Sequence, residues 1–135
     1  MLLRICLIVA QLPWKFGPYQ QQMYLLSHQL ANKGHDILWM PYNLQFNEQL
    51  YSSEQIPAPS TFNHSFITYA GFQGSYIRTS TMNRLAQQYE VDAYITLTDV
   101  EKIIRDDNLI IPSIAWHPHH FNTRTPLDSY ILHGF

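Results

Sequence analysis

The amino-acid sequence predicts an α/β fold with a parallel, doubly wound sheet, and three observations carry the expectation. Residues 3–10 are apolar without a break apart from Arg4, the composition of a strand covered on both faces. Apolar runs of strand length then alternate with helical stretches along the whole chain, which calls for right-handed crossovers between parallel strands. Pro13, Gly17 and Pro18 before the first helix, and Gly34 after it, break the chain between the first two strand runs.

Taken in order, residues 3–10, with Ile5, Ile8 and Val9, form the expected central strand. A loop over 11–18 follows, broken by Pro13, Gly17 and Pro18, and a helix begins near Tyr19. Met23, Leu26 and Leu30 recur at spacings of three and four, so they share one helix face, and Lys33 before Gly34 is a stop signal. The run HDILWMPY, with Ile37, Leu38 and Trp39, reads as the second strand, ended by Pro41. Residues 45–64 are polar, contain Pro57 and Pro59, show no sustained period, and are expected to run over the surface. Residues 66–72 resume an extended pattern. Met82, Leu85, Ala86 and Tyr89 mark a second amphipathic helix, with N-cap candidates over Thr79 to Thr81. VDAYITLT is the next strand, Asp99 the expected cap of a short helix carrying Val100, Ile103 and Ile104, and IPSIAWH a further strand. Residues 126–135 read as the start of another helix or strand, as if the chain continued.

A chain of 135 residues fits one domain, whose single core should bury roughly two-thirds of the surface exposed on unfolding. Charged residues make up only 13 %, against about 25 % in an ordinary soluble domain, so part of the surface is expected to be uncharged and aromatic, the character of a face turned to a partner domain or a ligand. A net charge of −2 with scattered Lys and Arg supplies no basic stripe, which disfavours nucleic acid. The one cysteine, Cys6, lies in the first apolar run; it allows no intramolecular disulfide, reads as core packing and agrees with a cytoplasmic setting. That run is too short, and lacks the cleavage pattern, for a signal peptide. No apolar run reaches the roughly 20 residues that span a bilayer, so any membrane contact is expected to be peripheral.

Ligands on doubly wound sheets gather at the carboxyl ends of the strands, which directs attention to residues 11–18, 97–99 and 117–122. Gly17 stands at a strand-to-helix junction, where a missing Cβ and free helix N–H groups would let a ligand oxygen or sugar ring approach; the competing reading is a residue that only shapes the turn. Neither G-x-G-x-x-G nor G-x-x-x-x-G-K-[ST] occurs. Lys15 and Phe16 flank this glycine as candidate substrate contacts, a solvated side chain being the competing reading for Lys15. In WHPHH, continued strand geometry would put His117 and His119 on one face and His120 on the other, as a metal pair or as hydrogen-bonding groups for a polar ring. No acidic residue stands beside them to complete a metal set. Asp99 suits an active-site edge or a plain helix cap. Asp106 and Asp107 read as a solvated face, and Tyr19, Tyr24, Trp39 and Trp116 suit core packing or sugar stacking.

The succession RICLIVAQLP, FGPYQQQMYLLSHQLANKGHDILWM, DAYITLTD and IPSIAWHPHH resembles the amino-terminal domain of the family 4 retaining glycosyltransferases, over nearly the whole chain. The most specific part is the Gly34-His35-Asp36 turn between the first helix and the second strand, to which the resemblance gives a structural role. The fold implied is Rossmann-like and three-layered, one half of a GT-B enzyme. By the resemblance, His117 contacts the donor sugar at the catalytic centre with His119 as its alternate, and Gly17 matches one of two adjacent glycines in the first loop, the other position holding Phe16 or Pro18. It implies transfer from a nucleotide-diphosphate sugar without metal, completed by a carboxy-terminal nucleotide-binding domain that carries the paired glutamates and the Arg/Lys pair, since no pair of glutamates here has the family spacing. Two other classes compete: a non-enzymatic, flavodoxin-like module binding a small ligand or partner, and a metallohydrolase built on His117 and His119.

Overall fold

The computed structural model describes residues 2–44, 46–72, 76–98, 102–118 and 130–134, with backbone alone for 117, 118 and 130–134. The elements are β1 (Arg4–Val9), α1 (Pro18–Asn32), β2 (Asp36–Pro41), β3 (Leu50–Tyr51), a 3-10 turn (Ser53–Gln55), β4 (Ile67–Ala70), β5 (Ile77–Arg78), α2 (Thr79–Gln88), β6 (Ala93–Leu97), β7 (Ile103–Ile104), β8 (Ser113–Pro118) and β9 (Tyr130–Gly134).

The unbroken hydrophobicity of β1 is resolved by its position, since it pairs in parallel with β2 on one side and β6 on the other. Successive side chains of a strand point to opposite faces. Cys6 and Ile8 therefore join Leu38, Met40 and Tyr94 in one core, which α2 closes with Met82, Leu85 and Ala86. Ile5, Leu7 and Val9 join Ile37, Trp39 and Tyr69 in a second core, which α1 closes with Met23, Leu26 and Leu30. Helix, sheet and helix make three layers. Truncating a fully buried side chain such as Leu7 would cost about 2–5 kcal/mol, because transfer and cavity terms add.

The main sheet runs β3-β4-β2-β1-β6-β8-β9. Its five inner strands are parallel, and in chain order they stand third, second, first, fourth, fifth, the doubly wound arrangement whose switch point lies between β1 and β6. The sheet is nevertheless mixed, not wholly parallel as the alternation predicts, because β3 and β9 add antiparallel to its two edges. The segment 130–134, expected as the start of a helix or strand, is thus a strand paired with β8. Edge strands of this kind cover backbone groups that an open parallel sheet would leave unpaired.

Three further expectations are corrected. Ile103 and Ile104 lie in β7, paired with β5 in a small second sheet, and not in a short helix. The residues 45–64 do not simply run over the surface: the Glu48 carboxylate accepts two hydrogen bonds from Arg84 of α2 at 2.8 and 3.0 Å, the chain rounds the sheet edge through β3, and Ile56 is buried in the opposite core. Thr79 and Thr81 do not cap α2, whose N-cap position is Arg78. The capping groups come instead from Asp106, 26 residues on: its carboxylate accepts from the Ser80 N–H at 2.9 Å and from the Ser80 and Thr79 hydroxyls at 2.8 and 3.1 Å.

The amino edge of the sheet is tied by polar groups. Arg4 donates from Nε to Asp36 Oδ2 and from Nη1 to the Tyr89 carbonyl at the end of α2, both at 2.7 Å, so a cation sits at a helix C-terminus, where it is favoured. Gly34 takes φ +95°, and the Gly34 and His35 N–H groups return to the Ala31 and Leu30 carbonyls, closing α1 by the left-handed C-terminal motif. His35 Nδ1 accepts from the Leu3 N–H at 3.1 Å. Each residue of the Gly34-His35-Asp36 turn thereby makes a structural contact.

Candidate functional site

At the carboxyl end of β1 the loop is anchored before it reaches Gly17. Trp39 is fully buried and its indole N–H donates to the Gln11 carbonyl at 2.8 Å, and the Lys15 N–H donates to the Leu12 carbonyl at 3.1 Å. Trp39 is therefore a core residue. Gly17 holds φ +148°, so the backbone selects glycine; a Cβ there would meet only the end of the flexible Gln20 side chain, Nε2 at 2.6 Å, which can move aside. Helix α1 starts at once with Pro18, no side chain hydrogen-bonds its N-cap position, and its first turn has no acidic residue. The positive end of the helix dipole is thus left without a carboxylate of its own.

Beside this junction lies a cleft of ≈ 590 Å³, within the range of small-molecule sites. Pro13, Trp14, Lys15 and Phe16 form its first wall, Gln21, Tyr24 and Leu25 of α1 its second, and Pro59, Thr61 and Phe62 its third. Of the sequence-predicted residues, Lys15 and Phe16 line it, and Gly17 borders an adjoining depression with Pro18, Tyr19 and Gln20. Phe16 is 98 % exposed and Leu25 64 %, a costly way to hold apolar side chains in water and a mark of a surface meant to be covered.

The walls are held by ring packing. Trp14 meets Phe62, His64 and Tyr69 edge-on, with centroid separations of 5.6, 5.3 and 6.5 Å, and Tyr24 lies 4.8 Å from Phe62. The Tyr24 hydroxyl donates to the Asn63 carbonyl at 2.8 Å, and His64 Nδ1 shares a 2.8 Å hydrogen bond with the Tyr69 hydroxyl. Burial pulls the His64 imidazole below its ordinary value, favouring the neutral ring, and pushes the Tyr69 phenol up. Residues 59–64 carry no periodicity, so this wall is not predicted by the sequence; the signal available was Phe62 and His64, two aromatic rings one pleat apart just before a strand.

On the other side of β1, Thr98 follows β6 at the carboxyl edge, fully buried, and its hydroxyl donates to the Tyr42 hydroxyl at 2.6 Å. His117 belongs to β8 near that strand's carboxyl end, in register with Ile131 of β9. The sheet therefore brings the first loop, Thr98 and the His117 backbone to one edge, while the His117 side chain, His119 and Asp99 lie outside the described residues. Trp116 packs against the α1-side core, and Tyr19 and Tyr24 do so in part. Cys6 is fully buried, and burial drives its thiol pKa far up, which suits packing and not nucleophilic chemistry.

A second depression, ≈ 490 Å³, is lined by Thr79 and residues 105–109. Its helix end is occupied by Asp106, which the Ser80 N–H, first among several donors, holds down to a pKa of about 2. Asp106, expected as a solvated surface acid, is thus a capping group. Among the described residues no three His, Cys, Asp or Glu side chains converge to hold a metal ion, and no helix is long and apolar enough to cross a membrane. Comparison with protein-family models, with curated proteins and with solved structures returns no match.

Proposed function

We propose that this chain is the amino-terminal, acceptor-side half of a cytoplasmic, retaining glycosyltransferase of GT-B architecture, which moves a sugar from a nucleotide-diphosphate donor to an acceptor. The observation that carries the reading is the glycine-bearing loop and carboxylate-free start of α1 at the switch point of a doubly wound sheet, next to an aromatic-walled cleft. The sequence resemblance adds the assignment of roles. The Gly17 backbone and the α1 N-terminus face ligand oxygens, Lys15 and Phe16 contact the acceptor, and His117 meets the transferred sugar, with His119 as its alternate and Asp99 as a further candidate contact. The aromatic walls beside the loop give an acceptor an apolar surface to pack on. Charge departing with the nucleotide would be stabilised by preorganised donors of a carboxy-terminal domain, and closure between the two halves would assemble the centre.

The test is transfer by the full-length gene product from a panel of nucleotide-diphosphate sugars, with the anomeric configuration of the product read by NMR. Retained configuration and a loss of roughly hundredfold or more in His117→Ala are expected, the size of effect seen when one preorganised polar contact is removed. Unchanged turnover in that variant would take His117 out of the mechanism. No transfer from any donor would favour the flavodoxin-like binding module, and zinc found by elemental analysis would favour the metallohydrolase.

A further inference from the structure

We infer that the cleft between the first loop, α1 and residues 59–62 receives an aromatic aglycone of the acceptor, and not its reacting sugar; the inference rests on the glycosyltransferase reading above. Geometry separates the two places. Trp14 packs on Tyr69 of β4, which puts the cleft over the β2 and β4 side of the sheet, whereas the switch point lies between β1 and β6 and His117 lies in β8. From β4, under the far wall, to β8 is four strand spacings, roughly 19 Å at about 4.8 Å each, and from β1, which leads into the near wall, it is two, roughly 10 Å. A single sugar ring does not span either distance, so a ligand filling the cleft while reacting near His117 has two parts.

The chemistry of the walls says what the distal part is. Four aromatic side chains and two prolines line the cleft, Leu25 is its one aliphatic side chain longer than a methyl among the described lining residues, and Lys15 supplies the one charge among them. Flat rings packed edge-on, and pinned by the Tyr24 and Tyr69 hydroxyl hydrogen bonds, form a preformed slot in which another ring gains offset or edge-to-face contacts. An alkyl chain would gain only general burial there. Phe16 and Leu25 at the mouth are the apolar groups such a ring would cover.

Calorimetric titration of the full-length protein with phenyl, octyl and methyl β-D-glucopyranoside tests this, in the wild type and in a Phe16→Ala, Leu25→Ser double variant whose exposed positions leave folding undisturbed. The phenyl glycoside should bind roughly tenfold or more tighter than the methyl one, and the double variant should shrink that preference to about threefold or less. Equal binding of phenyl and methyl glycosides, octyl binding as tight as phenyl, or a phenyl preference untouched by the double variant would each overturn the assignment. If the phenyl preference holds but no donor sugar is ever transferred, the ring site stands and the transferase reading falls. Transfer with no phenyl preference gives the reverse.

Discussion

Helices α1 and α2 both begin at the carboxyl edge of the sheet, yet the chain finishes the two starts in opposite ways. At α2 an acid from a distant segment, Asp106, accepts from the Ser80 N–H and from two hydroxyls, with Arg78 3.6 Å away. At α1 there is a glycine with φ +148°, a proline, and no side-chain cap. An anion is favoured at a helix N-terminus whether the chain or a ligand supplies it. The depression at α2 is therefore already satisfied from within, although it is the more polar of the two. The start of α1 is the one left for something else to complete, and the ≈ 590 Å³ aromatic cleft adjoins it. The contrast teaches that one helix start is completed by an acid from a distant segment of the chain while the other carries no carboxylate of its own.

The contrast can be broken at Gly17. Replacing it with Val forces a β-branched residue into φ +148°, so a loss of about 2–3 kcal/mol is expected, read from the urea midpoint. A variant as stable as the wild type would show that the loop does not need this backbone.

A smaller effect is expected at the other helix. Asp106→Ala removes the acceptor of the Ser80 N–H and should lower the midpoint, with Asp106→Asn losing less because it keeps an acceptor. The folded-state pKa of about 2 is below the unfolded value near 3.8, so this contribution is fully present above about pH 4 and fades as pH falls through about 2. Urea midpoints of wild type and Asp106→Asn should accordingly converge between pH 4 and pH 2. A constant gap over that window would show that Asp106 does not cap α2.

The smallest effect sharpens the comparison. Gln21→Glu supplies α1 with the first-turn carboxylate it lacks and should raise stability by about 0.3–1 kcal/mol at low salt, an increment that fades as salt is added. No gain would mean the start of α1 is already satisfied.

Much of this molecule is legible in one dimension. The continuous apolar runs of β1 and β2 announce strands buried on both faces, and the three-and-four spacing of Met23, Leu26 and Leu30 announces the face of α1 that packs, because both patterns are repeats set by local backbone geometry. Gly17 and Gly34 are legible for the same reason, as positions where a particular φ excludes other residues. The third wall of the cleft is not legible. Phe62 and His64 gain their meaning from Trp14 and Tyr69, and nothing local in residues 59–64 encodes those partners.

By itself, then, the sequence determined the alternation of strands and helices, the layers they form and the edge at which the first loop lies, since periodicity and turn chemistry act over a few residues. Tertiary structure decided that the sheet ends in antiparallel strands, that Asp106 serves a helix 26 residues away, and that a polar excursion folds back to wall an aromatic cleft. Those outcomes depend on contacts between distant segments, whose free energy exists only once the chain has closed around them.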